Sequence, residues 1–406
     1  STAGPSAPRR RRLGIVRLIG HEAKTGSALK RWTIVAAVLL ALAGAIYLQH
    51  TDLIHGRGLP PTANDVSLRA LLVDRRAELE TAGATSVIVI RDSELIAEWG
   101  ETTRVTSLHS VRKSIVGMLY GIAKAKGLID LTATLAGLGI DEVHLPLTET
   151  ERGATLHDLL ASRSGIYHPS VNDDGEAAPA RASHAPGEAF YYNNWSFNAL
   201  GGIFEQLTGL TLNEAFREWI ARPTGMQDVS ATTVRYEHAP RSSIFPAYRF
   251  WLSGRDTARF GWLVLNEGMW NSREVIPRSW LRRSFTAYSE GVRGEGVGYG
   301  YLWWLMPDGV VMATGTGGQK IWLDPARKLM LVTRVDTGDG FSRGIWWNFG
   351  ARIHNGHLRA LHAAVISALE PPRQLTHAPV GHPASSGLAR RTLRHSDPAT
   401  NARRMS

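Results

Sequence analysis

The sequence predicts an α+β protein in which one antiparallel sheet is built from both ends of the folded region, with a helical subdomain beside it. Two observations carry this. Short β-rich runs cluster near residues 87–99 and again near 310–335, and helical patterns fill most of the interval between them. The composition agrees: with 43% hydrophobic and 20% charged residues, the 406-residue chain is neither a disordered polymer nor a polytopic membrane protein. It contains no cysteine, which excludes a disulfide framework, a thiolate metal site and a cysteine nucleophile.

Residues 32–48, WTIVAAVLLALAGAIYL, carry no charge and just reach the length of a short transmembrane helix. Eight Lys and Arg against Glu22 precede this run, a net +7 over residues 1–31. The basic side faces the cytoplasm. The expectation is therefore a basic leader at 1–31, a single-pass anchor at 32–48 in a bacterial cell membrane, and an exported domain at 52–370. A cleaved signal peptide is the alternative, with Ala41-Leu42-Ala43 and Ala43-Gly44-Ala45 as cleavage candidates. Residues 371–406 hold six Arg against Asp397 and few apolar residues, so a disordered basic tail of net +5 is expected. These tails account for the chain's +10 and leave residues 32–370 at −2. No basic groove, and hence no nucleic-acid partner, is indicated.

Within the domain, residues 66–82 read as a helix. Residues 87–90 and 95–99 read as a hairpin turning at Arg91-Asp92-Ser93-Glu94. Residues 310–313, 319–323 and 329–335 read as three further strands, the last two joined by a turn at 324–328. Helices are expected at 113–126, 196–208, 255–266 and 357–369, two of them closed by Gly127 and Gly209 and the last by Pro371 and Pro372.

Three local patterns could carry chemistry. In His109-Ser110-Val111-Arg112-Lys113, the spacing puts Ser110 and Lys113 on one face at a helix start, where a lysine can take a serine proton. The bland alternative is a helix-capping serine and a surface lysine. In Tyr191-Tyr192-Asn193-Asn194-Trp195, a phenol and an amide two residues apart point the same way along an extended segment. An aromatic core segment with Asn as a cap is the alternative. In Ala313-Thr314-Gly315-Thr316-Gly317-Gly318-Gln319, glycines allow close approach of a substrate, and a free edge N–H can serve an oxyanion; a glycine bulge is the alternative. Tyr167 is a candidate for the cleft wall, with a packing role as the alternative. His354 and His357 are read as histidines of the last helix rather than metal ligands. Trp303 and Trp304 alternate in a strand, so at most one of them enters the cleft.

Taken in this order, the patterns resemble the serine hydrolases of the class C β-lactamase and penicillin-binding-protein-like superfamily, in its family VIII esterase and 6-aminohexanoate-dimer hydrolase branch. Supporting matches are Thr155-Leu156-His157-Asp158-Leu159-Leu160, Arg163-Ser164-Gly165, Tyr299-Gly300-Tyr301-Leu302-Trp303-Trp304 and Gly317-Gly318-Gln319. The resemblance spans about residues 60–370 and implies a β-lactamase/transpeptidase-like fold. It implies Ser110 as the acylated nucleophile, Lys113 and Tyr192 as proton-transfer groups, and Asn194 as a substrate contact. The oxyanion would lie between the N–H groups of Ser110 and Thr316, beside Thr314 and Gly315. No cofactor is implied, and the substrate is a small ester, amide or peptide-like molecule. Class C relatives carry Lys-Thr-Gly or His-Thr-Gly where this chain reads Ala313-Thr314-Gly315, so the cation that helps bind a substrate carboxylate is expected to be missing. The alternatives are β-lactamase or DD-peptidase activity, and a non-catalytic cell-wall peptide-binding protein on the same fold. Oligomeric state is not readable from the sequence.

Overall fold

The computed structural model describes residues 73–172, 177–292, 296–338 and 353–369. The leader, the apolar run 32–48 and the tail 371–406 lie outside them. Among the described residues no helix is long and apolar enough to cross a membrane.

Strands β1 (Ser86–Arg91) and β2 (Glu94–Gly100) form the expected hairpin. Its turn is made by Asp92 and Ser93 at φ 49° and 73°, the paired left-handed residues that match the twist of a two-residue hairpin. Early and late strands then meet: β1 pairs antiparallel with β13 (Leu329–Arg334), from Ser86 opposite Arg334 to Arg91 opposite Leu329. The eight-stranded sheet runs β2-β1-β13-β12-β11-β10-β9-β8, with β12 at Gln319–Asp324 and β11 at Val311–Gly315. Its far edge is made of three two-residue strands, β8 (Ser289–Glu290), β9 (Gly298–Tyr299) and β10 (Trp304–Leu305), too short to leave a periodic signal in the sequence.

Helices cover both faces of the sheet, which explains why β1 is apolar without interruption from Val87 to Ile90. Val87 and Val89 pack into one core with Trp322, Leu331, Leu358 and Leu361. Ile88 and Ile90 pack into the other, larger core with Ile321, Val332 and the helical region. Helix α1 (Val111–Ala125), α2 (Leu156–Leu160), α3 (Asn194–Thr208) and α4 (Gly254–Leu265) supply that second core, and α5 (Asn355–Leu369) covers the first. The described part of the 66–82 helix is helical over 73–81.

The expectation that the middle is mostly helical needs one correction. A three-stranded sheet lies there, in the order β3-β5-β4, from Thr106–Ser107, Ala247–Leu252 and Val234–Glu237. Its function is positional: Ser107 pairs with Trp251, and Leu108 N–H donates to Phe250 O at 2.8 Å, fixing the chain two residues before Ser110.

Candidate active site

Ser110 occupies the N-cap of α1, where a serine hydroxyl ordinarily turns back onto free backbone N–H groups. Here the side chain forms no cap bond, and Lys113 Nζ donates to Ser110 Oγ at 2.7 Å instead. Lys113 is no surface residue. It is 2% exposed, and its Nζ stands 4.6 Å from the Tyr192 ring centroid and 4.9 Å from that of Phe197. Both bland readings of the Ser-x-x-Lys pattern therefore fail on geometry. The residue before the serine, His109, is held at φ 46°, a left-handed conformation that costs a non-glycine residue on the order of 1 kcal/mol or more.

Arg334, at the end of β13, pins this strained entry from behind. Its Nη2 donates to Thr106 O at 3.0 Å and Ser107 O at 3.1 Å, its Nη1 to Leu252 O at 2.8 Å, and its Nε to Gln319 Oε1 at 2.8 Å. Burial pushes the Arg334 guanidinium down to about 9, opposed by Asp336, and leaves it charged at neutral pH.

Tyr192 lies face to face with Trp304, with ring centroids 5.7 Å apart, and meets Phe197 edge-on at 4.8 Å. The neighbouring Trp303 is fully buried against Phe260, so the pair alternates as expected. Asn193 caps α3, accepting from Trp195 N–H at 2.9 Å. Asn194 opens the helix and donates from Nδ2 to Asn172 O at 3.0 Å.

A cavity of about 420 Å³ gathers Ser110, Tyr192, Trp304, Thr314, Gly315 and Thr316. Asn194 is set back from its lining. The expectation that Tyr167 lines the cleft is corrected. This phenol is 8% exposed, its hydroxyl hydrogen-bonds His184 Nδ1 at 2.9 Å, and its ring packs on Tyr191. A buried phenol needs a polar partner, and His184 provides one away from the cavity.

Strand β11 forms the cavity's second wall. Strand β10 pairs with it only at Met312 and Val311, so β11 continues past its neighbour with an open edge. Gly315 sits where that edge crosses the nucleophile: a Cβ there would lie 2.5 Å from Leu108 O and 3.0 Å from Ser110 N. Only glycine allows this close approach of β11 to the Ser110 amide. Gly315→Ala is expected to lower kcat/KM by about a hundredfold or more, because backbone must move where an oxyanion would be held. Steady-state ester hydrolysis beside circular dichroism checks this; undiminished turnover would contradict the placement.

The expectation of a missing cation is corrected in part. Position 313 is an alanine, but Lys320 on the adjacent strand stands directly across from Thr314 and donates to Thr314 Oγ1 at 2.7 Å. It also donates to Asn355 Oδ1 at 2.7 Å and lines the same cavity, with His354 and Asn355 beyond it. The Ala313-Thr314-Gly315 motif speaks only for its own strand. The available signal was a lysine between Gln319 and Ile321 in an otherwise buried strand.

His109 is half-buried, and its Nε2 meets Thr337 Oγ1 at 2.7 Å. Burial first, then the charges of Arg249, Arg334, Arg112 and Lys113, push its pKa down to about 4. The sign follows from linkage. Below pH 6.5 the unfolded chain binds a proton that the folded chain refuses, so stability falls as pH drops from 6.5 to about 4. The loss amounts to at most ~3 kcal/mol. Urea titrations should show His109→Gln flattening this acid limb; an unchanged limb would refute it. Among the described residues no three His, Asp or Glu side chains converge on a metal position.

Comparisons with known proteins fit this geometry. The Beta-lactamase family model matches residues 68–345. The chain is 24% identical over 305 residues to a 6-aminohexanoate-dimer hydrolase of Paenarthrobacter ureafaciens, covering 66% of this chain and 76% of that protein. A solved putative β-lactamase from Bacteroides dorei superposes with a TM-score of 0.55 at 16% identity, covering 74% of this chain and 97% of that one. EstCE1, a hydrolase with promiscuous acyltransferase activity, superposes at 0.53 with 15% identity, over 75% and 100% of the two chains.

Proposed function

Because the chain belongs to the Beta-lactamase family and is a serine hydrolase, we propose that it cleaves a small ester or amide through an acyl-enzyme on Ser110. The observation that carries this is the 2.7 Å bond from buried Lys113 to the uncapped Ser110 hydroxyl, in the wall of a cavity.

Ser110 Oγ attacks the substrate carbonyl while its proton passes to the Lys113–Tyr192 pair. Lys113, as the neutral amine, accepts along the contact through which its ammonium donates. The tetrahedral oxyanion rests between the Ser110 and Thr316 N–H groups, and the N-terminal end of α1 adds favourable potential. Collapse breaks the bond to the leaving alcohol or amine, which takes the proton from Tyr192. Water then attacks the acyl-serine and gives its proton to the same pair; the bond from the acyl carbon to Ser110 Oγ breaks, Oγ takes that proton back, and the acid is released. Asn194 and its partner Asn172 hold the start of α3, and with it Tyr192, in place. No step needs a cofactor.

Intact-protein mass spectrometry tests the reading. The protein is incubated separately with a p-nitrophenyl ester, benzylpenicillin and a 6-aminohexanoate dimer. An acyl adduct, or turnover, that requires Ser110 is expected with at least one donor. Folded protein giving neither with any donor would move the assignment to a peptide-binding protein. The reading also includes export on an anchor at 32–48, supported by that apolar run and the basic residues before it. A phosphatase reporter that is active only outside the cytoplasm, fused after the run, should be active; a stably expressed but inactive fusion would refute it.

A further inference from the structure

Arg112 stands between Ser110 and Lys113 in the chain, takes no part in the steps above, and is 2% exposed. Its guanidinium lies over the Tyr248 ring of β5, 4.4 Å from the centroid, and its Nη2 donates to Asn198 Oδ1 of α3 at 3.4 Å. Neither contact carries a countercharge. Asn198 is an amide, and burial pushes the Tyr248 phenol up to about 12, so it keeps its proton at neutral pH. Arg259, equally buried in α4, shows the usual arrangement, with Asp256 Oδ1 at 2.8 Å. The groups that act most strongly on Arg112 are instead Tyr248, Tyr192 and Arg249, none of them a carboxylate.

Position decides what this charge does. Tyr192 is within its influence, and Lys113 Nζ stands 4.6 Å from the Tyr192 ring centroid, so one guanidinium acts on both members of the pair. Lys113 is as deeply buried as Arg112, and water screens little between them. A fixed cation disfavours the ammonium of Lys113 and favours the phenolate of Tyr192. Those are the forms that can take the Ser110 proton. Other ionisable groups surround the pair. His109, beside α1, is neutral above about pH 4. On β5, Arg249 is tied to Glu237, its Nε donating to Oε2 at 2.7 Å. Burial keeps the Tyr299 phenol of β9 protonated. Lys320 of β12 lines the same cavity, and Arg334 of β13 lies behind the serine. To these Arg112 adds a permanent charge one residue from Lys113.

We infer that Arg112 is a positioning residue for the proton: its buried charge holds the Lys113–Tyr192 pair in the proton-accepting form and extends activity to lower pH. The catalytic consequence rests on the Ser110 acyl-enzyme reading; the charge interaction itself does not.

The pH dependence of kcat/KM with a p-nitrophenyl ester tests it, with spontaneous hydrolysis subtracted using Ser110→Ala. In Arg112→Met the acid limb should move to higher pH by about one unit. Arg112→Lys keeps a cation there and should recover most of that shift. Asn198→Asp sets a carboxylate against the intact guanidinium and should move the limb in the same direction as Arg112→Met. This second variant barely changes side-chain size, so it carries the test if circular dichroism shows Arg112→Met unfolded. A residue that only ties α1 to α3 would lower the plateau and leave the limb where it is. An unmoved limb in the folded variants overturns the inference. Isotope labelling of the lysine ε-carbons gives an NMR readout that needs no turnover. The full chain has seven lysines, so the Lys113 signal is identified by its loss in Lys113→Arg. Its titration midpoint should rise by about one pH unit in Arg112→Met and in Asn198→Asp. An unchanged midpoint overturns the inference. A raised midpoint in protein that shows no Ser110-dependent turnover or adduct supports the charge interaction and refutes the acyl-enzyme reading.

Discussion

Ser110→Ala is expected to lower ester turnover by on the order of 10⁴-fold or more while leaving the fold intact. Both halves follow from the same geometry. The hydroxyl makes no helix-cap bond, so its removal forfeits none of the roughly 1 kcal/mol that a capping serine contributes. Its bond is to Lys113, and losing it disarms the attack without opening the core. Stopped assays with the p-nitrophenyl ester, run beside urea unfolding, separate the two effects. A variant that keeps its midpoint and loses its activity identifies the nucleophile. A variant that keeps both removes Ser110 from the chemistry and favours a binding protein on this fold. Lys113→Met tests the other end of the bond and should also cost activity, but its burial beneath Tyr192 and Phe197 makes a stability change part of its outcome.

Much of this arrangement is legible in the sequence because it is local. The i, i+3 spacing of Ser110 and Lys113, the turn at Asp92 and Ser93, and the capping box of Thr155 and Asp158 each reach only a few residues. The sheet from both chain ends was also readable, because a strand buried on both faces leaves an uninterrupted apolar run such as Val87 to Ile90. What escaped depends on distant partners. Lys320 reaches the cavity through a cross-strand register, and no spacing along the chain announces it. Tyr167 is turned away because its hydroxyl hydrogen-bonds His184, across a loop. The small sheet β3-β5-β4 escaped because one of its strands is two residues long, below any periodic signal.

Arg334 is the plainest case of a distant partner, and its replacement should have the largest effect on stability. The side chain is 2% exposed and joins four parts of the molecule: the Thr106 and Ser107 carbonyls before the nucleophile, the Leu252 carbonyl of β5, Thr257 of α4, and Gln319 of β12. Arg334→Met conserves much of the volume but leaves these acceptors buried without their donor. Removing one partner from a buried charged network typically costs about 3–5 kcal/mol. The expected result is a urea midpoint lowered by a corresponding amount at unchanged m-value. Activity should fall further than the unfolded fraction explains, because the Ser107 carbonyl is part of the clamp that holds His109 left-handed and Ser110 facing Lys113. Arg334→Lys keeps the charge but has no planar fork, so it should recover only part of the loss. A methionine variant within about 1 kcal/mol of the parent, below the range for a broken buried network, would show that water or neighbouring donors replace the guanidinium and that the strained entry to α1 is held by β3 and β5 alone.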